Sequence, residues 1–112
     1  MESHFRVEVA GDGRTTVVTV SGDLDLASSP ALDDELTRLV TDGGGRVVLD
    51  LRRLDFMDST GLSTLVRAQE RLEQAGLQFG VVRGTQQVQR LLELTGVAER
   101  LEFADAPEEF PG

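Results

Sequence analysis

The chain has 112 residues, 39% of them hydrophobic, with 12 glycines and no cysteine. Counting glycine, about half of it is apolar, the usual share for a globular domain, and its length suits one domain that buries roughly two-thirds of its unfolded surface. Twenty acidic against eleven basic residues give a formal net charge of −9, which argues against nucleic acid or an anionic membrane surface as the main partner and favours a protein with a basic contact face.

Without cysteine there are no disulfides and no thiolate metal sites, and the single histidine, His4, cannot build a histidine-rich one. The first residues lack the basic and then apolar pattern of a signal peptide, and no apolar run approaches the roughly 18 residues of a membrane span. A cytoplasmic protein with no membrane partner, no metal and no cofactor of its own is expected. All eleven basic residues are arginine, which fits genomic base composition better than any chemistry.

Phe5, Val7 and Val9 alternate with Arg6 and Glu8, predicting a strand with one buried face. "GDGR" (11–14) is a turn signal and "TTVVTV" (15–20) a β-branched strand, so the two strands form a hairpin. "SGDLDLASSP" (21–30) crosses to a helix, with Ser29 as cap, Pro30 at the first helical position, and Asp33 and Asp34 near the positive end of the dipole. Leu32, Leu36, Leu39 and Val40 repeat at helical spacing until "GGG" (43–45) ends the element.

"VVLDL" (47–51) reads as a strand covered on both faces. A second helix follows, with Leu62, Leu65, Val66 and Leu72 on one stripe and Gly76 beyond its end. "LQFGVV" (77–82) is another strand. A third helix has Thr85 as cap, Val88, Leu91 and Leu92 facing inward, and Gly96 closing it. "LEF" (101–103) reads as a short last strand, and "DAPEEFPG" (105–112) is left between one helical turn and a frayed end, as residues 1–3 are expected to fray. The order β-β-α-β-α-β-α-β with a short tail predicts a single α/β domain over 1–112. It is a mixed, mainly parallel sheet with helices packed against it. No large apolar stripe is left over, so a monomer is expected for the free chain.

"DFMDSTGLSTL" (55–65) places a hydroxyl between an acid and a glycine where a helical pattern begins. Ser59 is either a helix cap or a hydroxyl presented for modification, because a helix N-terminus tolerates an added phosphate. A phosphate adds about −1.5 to −2 charge, and Asp55 and Asp58 are its neighbours in sequence. If the "GDLD" turn (22–25) packs beside this helix, Asp23 and Asp25 join them, so phosphorylation would turn one surface against its partner. Asp25 is equally readable as a turn residue bonding its own backbone. Gly61 either leaves an approach open beside Ser59 or serves helix–sheet packing. With Ser59 as the cap, Gly61→Ala would be neutral or stabilising. Phe56 and Met57 read as core or rim.

Catalysis by this chain is not expected. A serine nucleophile needs a base within hydrogen-bond reach, and the only histidine is terminal. "VRGTQQ" (82–87) has one glycine and no lysine, so it is no phosphate-binding loop. Asp23 with Asp25 lacks a complete cation ligand set.

Two stretches, "GDLDLASSPAL" (22–32) and "LDFMDSTGLSTLV" (54–66), resemble the two signatures of the STAS family, the fold of bacterial anti-sigma factor antagonists. The resemblance extends to the order of elements and so covers nearly the whole chain. It implies an antagonist whose unphosphorylated form binds an anti-sigma factor that is also a serine kinase, freeing a sigma factor. It further implies that phosphorylation ends this binding and that a metal-dependent phosphatase restores it. Carried over residue by residue, the acceptor is Ser59, with Thr60 as a minor second acceptor. The flanking acid is Asp58, the turn acid Asp25, and the partner-binding set Asp23, Asp25, Asp58, Ser59, Thr60, Gly61 and Leu62. ATP would belong to the kinase. The alternative implied by the resemblance is an unphosphorylated STAS subunit or scaffold of a larger assembly, such as a lipid-transport ATPase.

Overall fold

The computed structural model describes residues 4–42 and 45–111. Strands β1 (Arg6–Gly11) and β2 (Thr15–Leu24) lead to helix α1 (Ser29–Asp42). Then come β3 (Arg46–Met57), α2 (Ser59–Gln74), β4 (Gln78–Val82), α3 (Gln86–Leu94), a 3-10 turn (Val97–Arg100), β5 (Phe103–Ala104) and a second 3-10 turn (Pro107–Glu109). The five strands lie in sequence order, β1 antiparallel to β2 and every later pair parallel. Right-handed crossovers that all step the same way put the helices on one face. The main core accordingly joins Leu32 and Leu36 of α1, Leu65, Ala68 and Leu72 of α2, and Val88 and Leu92 of α3 to alternate strand residues such as Val18, Leu49 and Val81.

The hairpin turn works as expected: the Asp12 carboxylate accepts from the Arg14 and Thr15 N–H groups, each at 2.9 Å, and Gly13 takes the φ of 91° that a side chain would resist. The Thr15 bond first, and then that from Arg14, holds the Asp12 carboxyl below its ordinary value. β1 is less buried than its alternation suggested. Phe5 and Val7 pack against the core, but Val9 is 37% exposed, because an edge strand has a neighbour on one side only.

Three expectations about α1 are corrected. The helix begins at Ser29, not after it, and the Ser29 hydroxyl is buried without a hydrogen-bond partner, so Ser29 is not the cap. Ser28 organises the entry instead: its hydroxyl accepts from Asp25 N–H at 2.9 Å and donates to the Asp23 carbonyl at 2.6 Å. Asp33 and Asp34 consequently lie beyond the first turn, where the dipole acts weakly, and Asp33 pairs with Arg71 of α2 at 3.1 Å. Of the glycine run after α1, Gly43 and Gly44 lie outside the described residues, as do residues 1–3 and 112.

β3 is longer than expected, running on through the segment that the sequence assigns to the approach to α2. Its register against β2 slips twice: Thr19 pairs with Asp50 but Ser21 with Arg53, and Gly22 pairs with Leu54 but Asp23 with Phe56. Each slip inserts one extra residue in β3, a β-bulge that turns the strand. At the first, the unpaired Arg52 N–H is satisfied by the Asp50 carboxylate at 3.0 Å, which also receives the Arg52 guanidinium at 2.8 Å. The bulges bring Leu51, Leu54 and Met57, three residues apart, to the same core while Arg52, Arg53, Asp55 and Phe56 face out.

α2 ends in a Schellman turn, Gly76 at φ 81° and Leu77 N–H bonded to the Leu72 carbonyl at 2.9 Å. Thr85 caps α3 by accepting from Val88 N–H at 3.4 Å. The tail makes the helical turn rather than fraying. Its Phe110 is buried with Val48, Val82 and Ala104 on the sheet face away from the helices, with the Arg46 guanidinium 5.2 Å from the ring centre. Gly80 leaves the space for that ring.

Candidate functional site

Parallel strands end together, so the C-terminal ends of β2 and β3 form one edge, where open α/β sheets place their sites. Leu24 pairs with Met57, and Asp58 N–H donates to the Leu24 carbonyl at 3.2 Å. The turn after β2 and the start of α2, separated by about thirty residues of chain, are thereby locked side by side. Asp23 lies in the last, turn-facing residues of β2, Asp25 in the turn that follows, and Asp58, Ser59, Thr60, Gly61 and Leu62 at the start of α2, so all seven gather at this edge.

Asp58, not Ser59, caps α2. Its backbone is extended (φ −102°, ψ −173°), its carboxylate accepts from Gly61 N–H at 2.9 Å, and its carbonyl receives Leu62 N–H at 2.9 Å. A carboxylate suits this position because it meets both the unpaired N–H groups and the positive dipole end. Ser59 becomes the first helical residue and is exposed. Relieved of capping, its hydroxyl stands at the helix N-terminus facing solvent.

The reading of Gly61 as an open approach to Ser59 is overturned. Gly61 is buried, and a Cβ there would lie 2.5 Å from the Leu24 carbonyl oxygen, 2.9 Å from the Leu24 side chain and 3.0 Å from that of Met57. The glycine lets the helix start press against the end of β2, and it serves packing. Leu62 is half-buried against the core and Met57 is 5% exposed within it. Phe56, 42% exposed, is rim.

Asp25 has the turn geometry. One carboxylate oxygen accepts from Ala27 N–H and Ser28 N–H, each at 3.1 Å, with the Ser28 hydroxyl oxygen also 3.1 Å away. Its carbonyl receives Ser29 N–H at 2.8 Å. Such a saturated turn is rigid, which fixes where Asp23 and the following residues sit. Sequence reasoning missed Ser28, which ties this turn together, and Leu26, 74% exposed between the two helix starts. An apolar residue inside a polar turn is the signal that would have marked Leu26. Among the described residues, no group of three or more histidine or acidic side chains could hold a metal ion, and no helix is long and apolar enough to cross a membrane.

A family model of the STAS domain matches residues 6–109. The chain is 27% identical over 105 residues to the anti-sigma-B factor antagonist of Staphylococcus aureus, covering 94% of this chain and 97% of that one. It is 31% identical over 91 residues to the anti-sigma-F factor antagonist RsfB of Mycobacterium tuberculosis, covering 81% of this chain and 74% of that one. A crystal structure of an anti-sigma factor antagonist from Mycobacterium paratuberculosis superposes with a TM-score of 0.85 at 28% identity, over 94% of this chain and 89% of the other. With five strands in sequence order, helices on one face and both signature segments at one edge of the sheet, the chain belongs to the STAS domain family.

Proposed function

We propose that this protein is a cytoplasmic anti-sigma factor antagonist, a binding regulator and not an enzyme, switched by phosphorylation of Ser59. The unphosphorylated form binds an anti-sigma factor that is also a serine kinase and so frees a sigma factor. A metal-dependent phosphatase resets the modified form. The names of the relatives support the antagonist role. The observation that carries the switch is the exposed Ser59 hydroxyl at the first position of α2, next to a cap that does not need it.

The geometry suits a modification that leaves the fold intact. A phosphate on Ser59 would project from a helix N-terminus, where negative charge is tolerated. A partner that closes over this edge would have to bury that phosphate beside the Asp58 carboxylate, with Asp23 at the end of β2 and Asp25 on the turn after it. Desolvation and like charge both oppose that. A loss of about 3 kcal/mol would weaken binding roughly 100-fold. Thr60, half-buried at the next position, is the lesser acceptor.

The test is incubation with the candidate kinase and ATP, followed by mass mapping of the phosphate. Label on Ser59 that disappears in Ser59→Ala, together with weakened kinase binding by Ser59→Glu, is the expected result. Full labelling of Ser59→Ala would remove the assignment.

A further inference from the structure

We infer that β1 is a contact between two copies of this chain: two β1 strands pair antiparallel about a two-fold axis at Val7 and join the two sheets into one. The inference stands apart from the antagonist reading above. β1 is an edge of the sheet, hydrogen-bonded to β2 alone, so half of its backbone N–H and C=O groups point outward. It runs six residues without proline and keeps one register with β2 from Arg6 to Gly11, with no bulge to turn it away. The opposite edge, β5, has two residues, too short to template a partner.

Charge selects what pairs with β1. Phe5 and Val7 face the core, so Arg6 and Glu8 alternate onto the other face, where both are exposed. Neither has an ion-pair partner among the described residues. Charges blunt an edge when an approaching strand meets its like. Here opposite signs lie two residues apart. A second β1 centred on Val7 sets Arg6 of each copy opposite Glu8 of the other. Directly opposed side chains stand about 4.5–5.5 Å apart, where opposite charges stabilise and like charges destabilise. Sliding the centre to Arg6 puts arginine against arginine, and sliding it to Glu8 puts glutamate against glutamate. One register is favoured.

The same register serves the apolar face. Phe5 of each copy comes opposite Val9 of the other, and Val9 is the residue that the edge leaves 37% exposed. The contact is mostly main chain, so it needs no apolar stripe, and its small area makes it weak and concentration-dependent. The net charge of −9 on each copy opposes association. At physiological salt that repulsion is screened over about 8 Å, which spares the directly opposed charges and weakens most others. Because paired β1 strands run antiparallel, the two Ser59 edges point to opposite ends and both stay open.

The test is sedimentation equilibrium of the full chain from micromolar to millimolar concentration at physiological salt. Arg6→Glu and Glu8→Arg change exposed side chains whose β2 neighbours, Ser21 and Thr19, are uncharged, so both variants should melt with the unaltered chain. The unaltered chain should dimerise reversibly, and each single reversal should weaken dimerisation at least about tenfold. The double variant Arg6→Glu/Glu8→Arg should dimerise like the parent. An equimolar mixture of the two single variants should form a mixed dimer, because each supplies the charges that the other lacks. A monomer across the whole range would overturn the contact. A dimer indifferent to both reversals would place the association elsewhere and overturn it too, as would loss in the single variants with no rescue by the double variant or the mixture.

Discussion

Helices α2 and α3 both follow a parallel strand and both start with a side chain accepting from the N–H three residues on, yet they use the same positions differently. In α3 the capping group is the Thr85 hydroxyl itself, and the third helical residue, Val88, drives its side chain into the core. In α2 the cap is the Asp58 carboxylate, the hydroxyl has moved to the next residue, and the third position is Gly61, pressed on the Leu24 carbonyl. The α3 start spends its hydroxyl on structure and anchors through a side chain. By contrast, the α2 start anchors through backbone contact and a carboxylate, which leaves Ser59 with no structural duty. A residue with no structural duty can be modified without unfolding its helix.

The largest effect should come from breaking the backbone contact. Gly61 is helical with ordinary negative φ, so alanine there would gain backbone entropy. That gain is outweighed, because the new Cβ would meet a carbonyl oxygen at 2.5 Å, and a β2 backbone held in the sheet cannot easily yield. Gly61→Ala should lose about 1–3 kcal/mol, as overpacked cores do, and lower Tm by several degrees for each kcal/mol. Val88→Ala at the matching position of α3 should be destabilising too, through a cavity instead of a clash. Thermal unfolding of both variants checks this. A Gly61→Ala protein as stable as the parent would mean the helix start can lift off β2, and the contrast with α3 would dissolve.

Next in size are the caps. Asp58→Ala should cost about 0.5–2 kcal/mol, and Thr85→Ala no more than that, since its bond is longer and uncharged. Denaturant unfolding of the two single variants measures the difference. Asp58→Asn separates charge from capping, because asparagine caps about as well. It should retain most of the stability, and any change in kinase binding would then report the charge.

The element order was readable because strands and helices alternate with clear periods, and Thr85 was legible as a cap because neither neighbour, Gly84 or Gln86, offers a short side chain that could take the capping bond instead. At α2, Asp58 and Ser59 are both good caps standing side by side, and composition cannot choose between them. What decides is that Asp58 N–H is fixed to Leu24 by sheet pairing, which sets where the helix can begin. The end of β3 was missed for a related reason. Two bulges space Leu51, Leu54 and Met57 by three, which imitates a helical stripe and hides the strand. The packing role of Gly61 was invisible because a glycine carries no pattern; only the carbonyl opposite it gives the residue its meaning. Ser29 shows the converse error, a good capping residue in the right composition whose neighbour Ser28 holds the turn.

The smallest expected effect is at Ser59 itself, and its smallness is the point. As an exposed first helical residue whose hydroxyl is not the cap, it should tolerate alanine within about 0.5 kcal/mol of the parent, the range of ordinary surface changes. Had Ser59 been the cap, the cost would have been about 1 kcal/mol. Chemical denaturation resolves the two if Asp58→Ala is measured beside it as the capping standard. Ser59→Ala should match the parent in stability, bind the kinase normally and refuse the phosphate, whereas Asp58→Ala should be less stable. A Ser59→Ala protein destabilised as much as Asp58→Ala would show that the hydroxyl shares the capping. Phosphorylating it would then disturb the helix start as well as the interface, and the separation between the two helix starts would be one of degree.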